Sequence, residues 1–151
     1  MNQEEYRKII SNAIDSEIEA NKFYTDVSGK VKDKALKTLF LDIAAEELKH
    51  RDFLKNFMAK DLKVMHFDTV KDYKVTDSLK TPKLSSDMKP LEGLVLAIKK
   101  ELESMMMYSQ LANASTDAGQ KKLFMDLVAM ERSHKSRLED IYTNMAFPES
   151  W

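Results

Sequence analysis

Ala45-Glu46-Glu47-Leu48-Lys49-His50 and Ala129-Met130-Glu131-Arg132-Ser133-His134 are one motif written twice, Ala-x-Glu-x-x-His, 84 residues apart. Steps of three and four carry an apolar helical seam through each copy. The first seam reads Leu36, Phe40, Ile43, Glu47, His50, Leu54, Phe57, and the second Phe124, Leu127, Glu131, His134, Leu138, Ile141, Met145. In both, a glutamate and then a histidine one turn later stand where a bundle core requires apolar side chains.

The repeat extends outward without a gap. Ala13-Ile14-x-x-Glu17-x-Glu19 falls on Ala97-Ile98-x-x-Glu101-x-Glu103, Tyr24 on Tyr108, Asp33 on Asp117, Leu39-Phe40-x-Asp42 on Leu123-Phe124-x-Asp126, and Leu54 on Leu138. Charged residues and both histidines match, which the shared apolar pattern of two helices does not explain. The upstream segments have seams of their own: Ile10, Ile14, Glu17, Asn21, Tyr24 and Leu94, Ile98, Glu101, Met105, Tyr108. Each is again interrupted by a glutamate.

These periodicities predict four helices, over about 2–28, 33–59, 90–115 and 117–145, each about 40 Å long at 1.5 Å per residue. Gly29 suits a C′ position, Pro90 a first helical turn, and Asp117 with Gln120 a capping box. Short links make helices 1–2 and 3–4 antiparallel hairpins, about 2–59 and 88–145. A Lys- and Asp-rich crossover, about 60–89, joins them, with a short strand or helical turn expected at Val70 to Leu79. The expectation is a single all-α domain over 1–151, an antiparallel four-helix bundle with one long connection.

Composition narrows the function. Twenty-four basic and 25 acidic residues leave a net charge of -1, so nothing suggests a nucleic-acid partner. The longest clean apolar run, Leu94 to Ile98, is far too short to span a bilayer, and the polar, acidic start is unlike a secretory signal. No membrane association and a cytoplasmic location are the default expectations. Without cysteine the chain has no disulfide, thiolate metal site, iron–sulfur cluster or cysteine nucleophile.

Four carboxylates converging in one core, with no Lys or Arg on the seams, must protonate, pair or bind metal. Two divalent cations would cancel their charge, and two neutral imidazoles would complete the donor set. Glu17, Glu47, His50, Glu101, Glu131 and His134 are therefore the candidate metal ligands. The competing reading is a cluster of protonated glutamates hydrogen-bonded to histidines. One Glu-x-x-His pair carries little weight, but two at matched register, each with a seam glutamate from its hairpin partner, favour metal.

The chain resembles the rubrerythrin branch of the ferritin-like superfamily. The likeness rests on Ala13-Ile14-x-x-Glu17, Phe23-Tyr24, Ala44-Ala45-Glu46-Glu47-x-x-His50, Ala97-Ile98-x-x-Glu101 and Met130-Glu131-x-x-His134, with Phe147-Pro148-Glu149-Ser150-Trp151 resembling tails in this group. The resemblance implies a ferritin-like fold and a di-iron site reacting with peroxide or dioxygen, with those six residues carried over as ligands. It also implies an external electron donor protein and is consistent with a homodimer. Carboxylate and imidazole donors accept manganese as well as iron. Two departures stand out. Rubrerythrins proper carry a cysteine-ligated rubredoxin centre, which a chain without cysteine cannot hold, and an extra carboxylate one turn after the helix-3 ligand, where this chain has Ser104.

Around the site, Tyr24 and Tyr108 read as aromatic core, or as residues that bond a ligand carboxylate or pass an electron. Asp42 and Asp126 read as exposed helix positions, with support of a histidine N–H as the alternative. Glu46, rotated off the seam, reads as solvated, Glu19 and Glu103 as surface charges, His66 as no ligand, and the ten methionines as core filler and partly exposed surface. The functional expectation is a non-haem di-iron oxidoreductase reducing peroxide or dioxygen. The alternatives are an iron-binding or oxygen-sensing protein without fast turnover, and a metal-free helical scaffold.

Overall fold

The computed structural model describes residues 2–59, 66–70 and 90–146. Four helices account for most of them: α1 (Gln3–Ser28), α2 (Lys34–Met58), α3 (Pro90–Ala114) and α4 (Ala118–Ala146). Residues 71–79 of the expected strand or turn, and the tail 147–151, lie outside the described residues.

Side-chain caps set the helix starts. Asn2 accepts from the Glu5 N–H at 2.9 Å while Glu5 accepts from the Asn2 N–H at 3.3 Å, a complete capping box. Asp33 accepts from the Leu36 N–H at 2.9 Å. Asp117 accepts from the Gln120 N–H at 2.9 Å, but the expected reciprocal bond is replaced. The Gln120 amide instead accepts from the His66 N–H at 3.0 Å and donates to the His66 carbonyl at 2.9 Å, clamping the crossover backbone as a strand would. Gly29 also departs from expectation. It caps α1 in the right-handed helical region, with φ -75°, and its N–H bonds the Asp26 and Val27 carbonyls, so it supplies no left-handed turn.

α1 packs along α2 and α3 along α4 as hairpins, and the hairpins meet with α1 beside α3 and α2 beside α4. Both cross-hairpin neighbours run antiparallel. The start of α3 reaches the end of α1, where Gly93 faces Phe23, and the end of α2 meets the start of α4, where Phe53 and Phe57 pack against Phe124. The architecture is an all-α, ferritin-like four-helix bundle. Residues 66–68 lie against the α3–α4 turn through bonds from Asp68 to Ala114 and from Thr116 to His66, both 2.7 Å, and Tyr6 stacks on Phe67 at 4.3 Å.

The apolar core comes in two clusters. One gathers Tyr6, Ile10, Leu54, Phe57, Leu111 and Phe124 near one end; the other gathers Phe23, Phe40, Ile43, Leu94, Leu138 and Ile141 near the opposite end. Burying each large side chain contributes about 1.5–3 kcal/mol. In every helix the glutamate singled out from the sequence falls between the residues given to the two clusters. The core is thus split by a polar layer at mid-height.

Candidate metal centre

All six predicted residues meet in that layer. None is more than 4% exposed. Glu17, Glu47, His50 and Glu131 present donor atoms within 4.8 Å of one another, and so do Glu47, Glu101, Glu131 and His134. The two quartets share Glu47 and Glu131, while Glu17 with His50 and Glu101 with His134 belong to one quartet each. The arrangement offers two adjoining places for a cation, with Glu47 and Glu131 common to both and one further carboxylate and one imidazole belonging to each.

The halves obey the sequence repeat. His50 Nδ1 stands 2.7, 3.6 and 4.0 Å from Glu131, Glu17 and Glu47, and His134 Nδ1 stands 2.8, 3.7 and 3.9 Å from Glu47, Glu101 and Glu131. The rings face each other with centroids 5.7 Å apart and planes at 17°. The tyrosines cross between hairpins. Tyr24 on α1 donates to Glu101 on α3 at 2.8 Å, and Tyr108 on α3 donates to Glu17 on α1 at 2.7 Å. Both phenols are core residues and both bond a candidate ligand, each on the helix opposite its own.

Close approach here is not hydrogen bonding. Oε2 of Glu17, Oε1 of Glu47, Oε2 of Glu101, Oε1 of Glu131 and Nδ1 of both His50 and His134 are buried without a hydrogen-bond partner among the described residues. Orphaned buried polar atoms are rare, and each costs about 1–3 kcal/mol. Six of them turned toward one centre, with carboxylate and imidazole chemistry, fit cations placed between them.

Electrostatics agree. Burial, then the charges of Glu131, Glu17 and Glu101, pushes the Glu47 carboxyl well above the usual carboxylate range. Burial, then Glu101 and Glu17, does the same to Glu131. Burial also opposes ionisation of Glu101, but the Glu131 carboxyl, the His134 ring and the Tyr24 hydroxyl outweigh it and hold Glu101 low. Burial together with neighbouring carboxylates lifts both tyrosine hydroxyls well above the ordinary phenol range. Burial and mutual repulsion thus oppose ionisation of Glu47 and Glu131, and cations among these carboxylates would favour it.

One contributor was not legible in the sequence. Glu46, read there as solvated, accepts from His134 Nε2 and from Arg137, the latter at 2.8 Å. The signal lay in a break of the repeat, where Glu46 aligns with Met130 and Arg137 with Phe53. The other neighbours behave more simply. Asp42 and Asp126 are exposed, and Asp126 pairs with Lys122 rather than a histidine. Glu19 and Glu103 are half-buried rather than fully exposed, with Lys100 3.8 Å from Glu19. Ser104 is half-buried on α3, and His66 belongs to neither quartet. Met107 is buried, while Met106, Met125 and Met130 are exposed.

A four-helix bundle whose core is divided by a buried carboxylate–imidazole layer able to bind metal defines the ferritin-like di-metal class. The family model described as Rubrerythrin matches residues 8–142, and the chain belongs to that family. Its fold is similar to that of a hypothetical protein from Pyrococcus furiosus, at 24% identity and a TM-score of 0.75 over 93% of this chain and 89% of that one. It is also similar to a Thermotoga maritima protein provisionally described as ferritin-like diiron-carboxylate, at 20% identity and a TM-score of 0.70 over 92% of this chain and 95% of that one. No curated protein matches it. No helix among the described residues is long and apolar enough to cross a membrane.

Proposed function

We propose that this protein is a non-haem di-iron oxidoreductase that reduces peroxide or dioxygen at the mid-bundle centre. The convergence of six orphaned donor atoms in two overlapping quartets carries this reading. Glu47 and Glu131 would be shared by the two ions, Glu17 and His50 would complete one site, and Glu101 and His134 would complete the other. A bound iron pair supplies two reducing equivalents and Lewis acidity. The chain's own residues do the rest. Six side chains from four helices fix the donor geometry, and the two apolar clusters keep bulk water away from it. Tyr24 and Tyr108 hold the terminal carboxylates Glu101 and Glu17 in place. Re-reduction calls on an external donor protein, because a chain without cysteine has no thiolate-bound iron of its own. Family membership supports iron over manganese and is consistent with a homodimer.

A second reading, iron binding or oxygen sensing without fast turnover, draws on Ser104. Where the family resemblance leads one to expect an extra carboxylate, this chain has a serine hydroxyl. One experiment separates the readings. Protein purified without added metal is assayed for metal by elemental mass spectrometry, then for steady-state peroxide and dioxygen reduction with an artificial donor. Two irons per chain, lost with turnover in Glu47→Ala, are expected. Two irons without turnover would favour the binding reading, and no metal uptake even from anaerobic Fe(II) or Mn(II) would defeat both.

A further inference from the structure

The two halves of the centre differ behind their imidazoles. His134 Nε2 is bonded to the Glu46 carboxylate, which Arg137 braces from α4. His50 Nε2 is buried with no hydrogen-bond partner among the described residues. The difference follows from the sequence, because at the repeat position of Glu46 stands Met130, a thioether and at best a weak acceptor, and at that of Arg137 stands Phe53.

We infer that Glu46 is a positioning residue that makes the two cation sites unequal, so that the site of Glu101 and His134 fills first and that of Glu17 and His50 second. The inference rests on the di-metal reading above. A carboxylate on Nε2–H fixes the proton there, leaves the Nδ1 lone pair aimed into the centre, holds the ring plane and raises its donor strength. Arg137 in turn fixes Glu46 from a second direction. His50 has the same approach to Glu47 and Glu131 but, among the described residues, no hydrogen bond at Nε2 to select its tautomer or fix its plane. An otherwise symmetric pair of sites thereby acquires an order.

Stepwise filling alone is no test, because two cations sharing bridging ligands repel each other and load in steps even in a symmetric site. The diagnostic is which histidine and which carboxylate govern the first step. Anaerobic titration of the full chain with Co(II), followed by calorimetry and by cobalt d–d absorption, reads both steps in wild type and variants. His134→Ala is expected to weaken the first step, and His50→Ala to spare it and abolish the second. Glu46→Ala is expected to weaken the first step about 10–100-fold. Glu46→Gln, whose amide oxygen still accepts from Nε2–H, recovers most of that loss, and Arg137→Ala gives a smaller loss of the same kind. Thermal melts of the metal-free variants establish that each is folded. Equal effects of His50→Ala and His134→Ala on the first step would overturn the inference, as would an unchanged first step in Glu46→Ala. Either result leaves the di-metal reading intact, whereas failure of wild type to bind any Co(II) would remove both.

Discussion

The half of the centre built on Glu17 and His50 and the half built on Glu101 and His134 match closely in their carboxylate–imidazole distances and in their cross-hairpin tyrosines. They part company one layer further out, where His134 has Glu46 and Arg137 and His50 has neither. The six carboxylates and imidazoles of the buried layer are thus repeated, while residues that only touch one of them from behind are free to diverge. Symmetry is imposed by the charge to be neutralised, and asymmetry enters where that constraint ends. The predictions below press on one side or the other of this contrast.

The largest effect tests the symmetric part. Glu47 and Glu131 are repeat mates, and burial beside other carboxylates raises both well above the usual range. As pH climbs, the unfolded chain releases these protons first while the folded, metal-free protein retains them. Their contribution to stability is therefore complete below the ordinary carboxylate pKa and is lost as pH rises through the raised folded values. His134, also raised because Glu101 and Glu46 outweigh the opposing effect of burial, adds in the same direction. Glu101, held low, acts oppositely, and its contribution is lost only as pH falls through its folded value. The melting temperature of chelator-treated protein should accordingly fall from about pH 5 upward. Glu47→Gln and Glu131→Gln should each stabilise the metal-free protein at alkaline pH, on the order of 1–4 kcal/mol. Metal loading should reverse the slope, because cations bind the deprotonated ligands. Unequal gains from the two variants would show that the Glu47–Glu131 pair is not symmetric, and a flat pH profile would show that the two carboxyls are not raised in the folded protein.

The next effect comes from a place where the repeat fails in the apolar core. Gly93 lies against Phe23, and a Cβ there would sit 2.9 Å from the ring's Cζ; the repeat-related positions are Ile9 and Met107, both buried in the other cluster. A glycine opposite a phenylalanine and an isoleucine with a methionine are two ways of filling similar space. Gly93→Ala should cost about 1–3 kcal/mol by overpacking, read from chemical denaturation. The double variant Gly93→Ala with Phe23→Leu should recover part of the loss, and a neutral single variant would mean that the ring moves aside freely.

How far the sequence discloses all this depends on where a residue's partner lies. Glu47, His50, Glu131 and His134 betray themselves within a single helix, since a polar residue on an apolar seam is anomalous before any neighbour is known. Their convergence follows from the repeat and the hairpin lengths. Glu46 is not anomalous, because it sits about 100° off the seam among ordinary surface positions, and its partners His134 and Arg137 arrive from the other hairpin. Tyr24 likewise lies two turns from Glu17 on its own helix, yet its hydroxyl reaches Glu101. Gln120 shows a local rule losing to a tertiary one, for its side chain forgoes the capping box to clamp His66. Seam chemistry is legible; contacts that cross between elements without marking a seam are not.

The tyrosines give a smaller and sharper test. Tyr24→Phe and Tyr108→Phe each remove one buried bond to a candidate ligand and leave the ring in place. Each should cost about 1 kcal/mol, and the two costs should agree. Denaturation of both metal-free variants at one pH checks this. A clear difference between them would mean that the asymmetry behind the histidines reaches the phenols.

The smallest effect closes off the rival to Glu46. Asp42 and Asp126 are repeat mates placed five residues before the bridging glutamates, where each could in principle support a histidine from behind. Both are exposed, and Asp126 is engaged with Lys122 at 3.0 Å on its own helix surface. An exposed i,i+4 pair contributes about 0.3–0.5 kcal/mol, so Asp42→Ala and Asp126→Ala should each change stability by less than about 0.5 kcal/mol. Neither should move either step of the Co(II) titration. If Asp126→Ala weakened the first step as Glu46→Ala is expected to, support of His134 would have to come from the exposed face of α4 rather than across the bundle. If Asp42→Ala weakened the second, His50 would have a partner of its own and the difference between the halves would vanish. Silence at these two matched positions, set beside a large loss at Glu46, would locate the inequality in one carboxylate and not in helix surfaces at large.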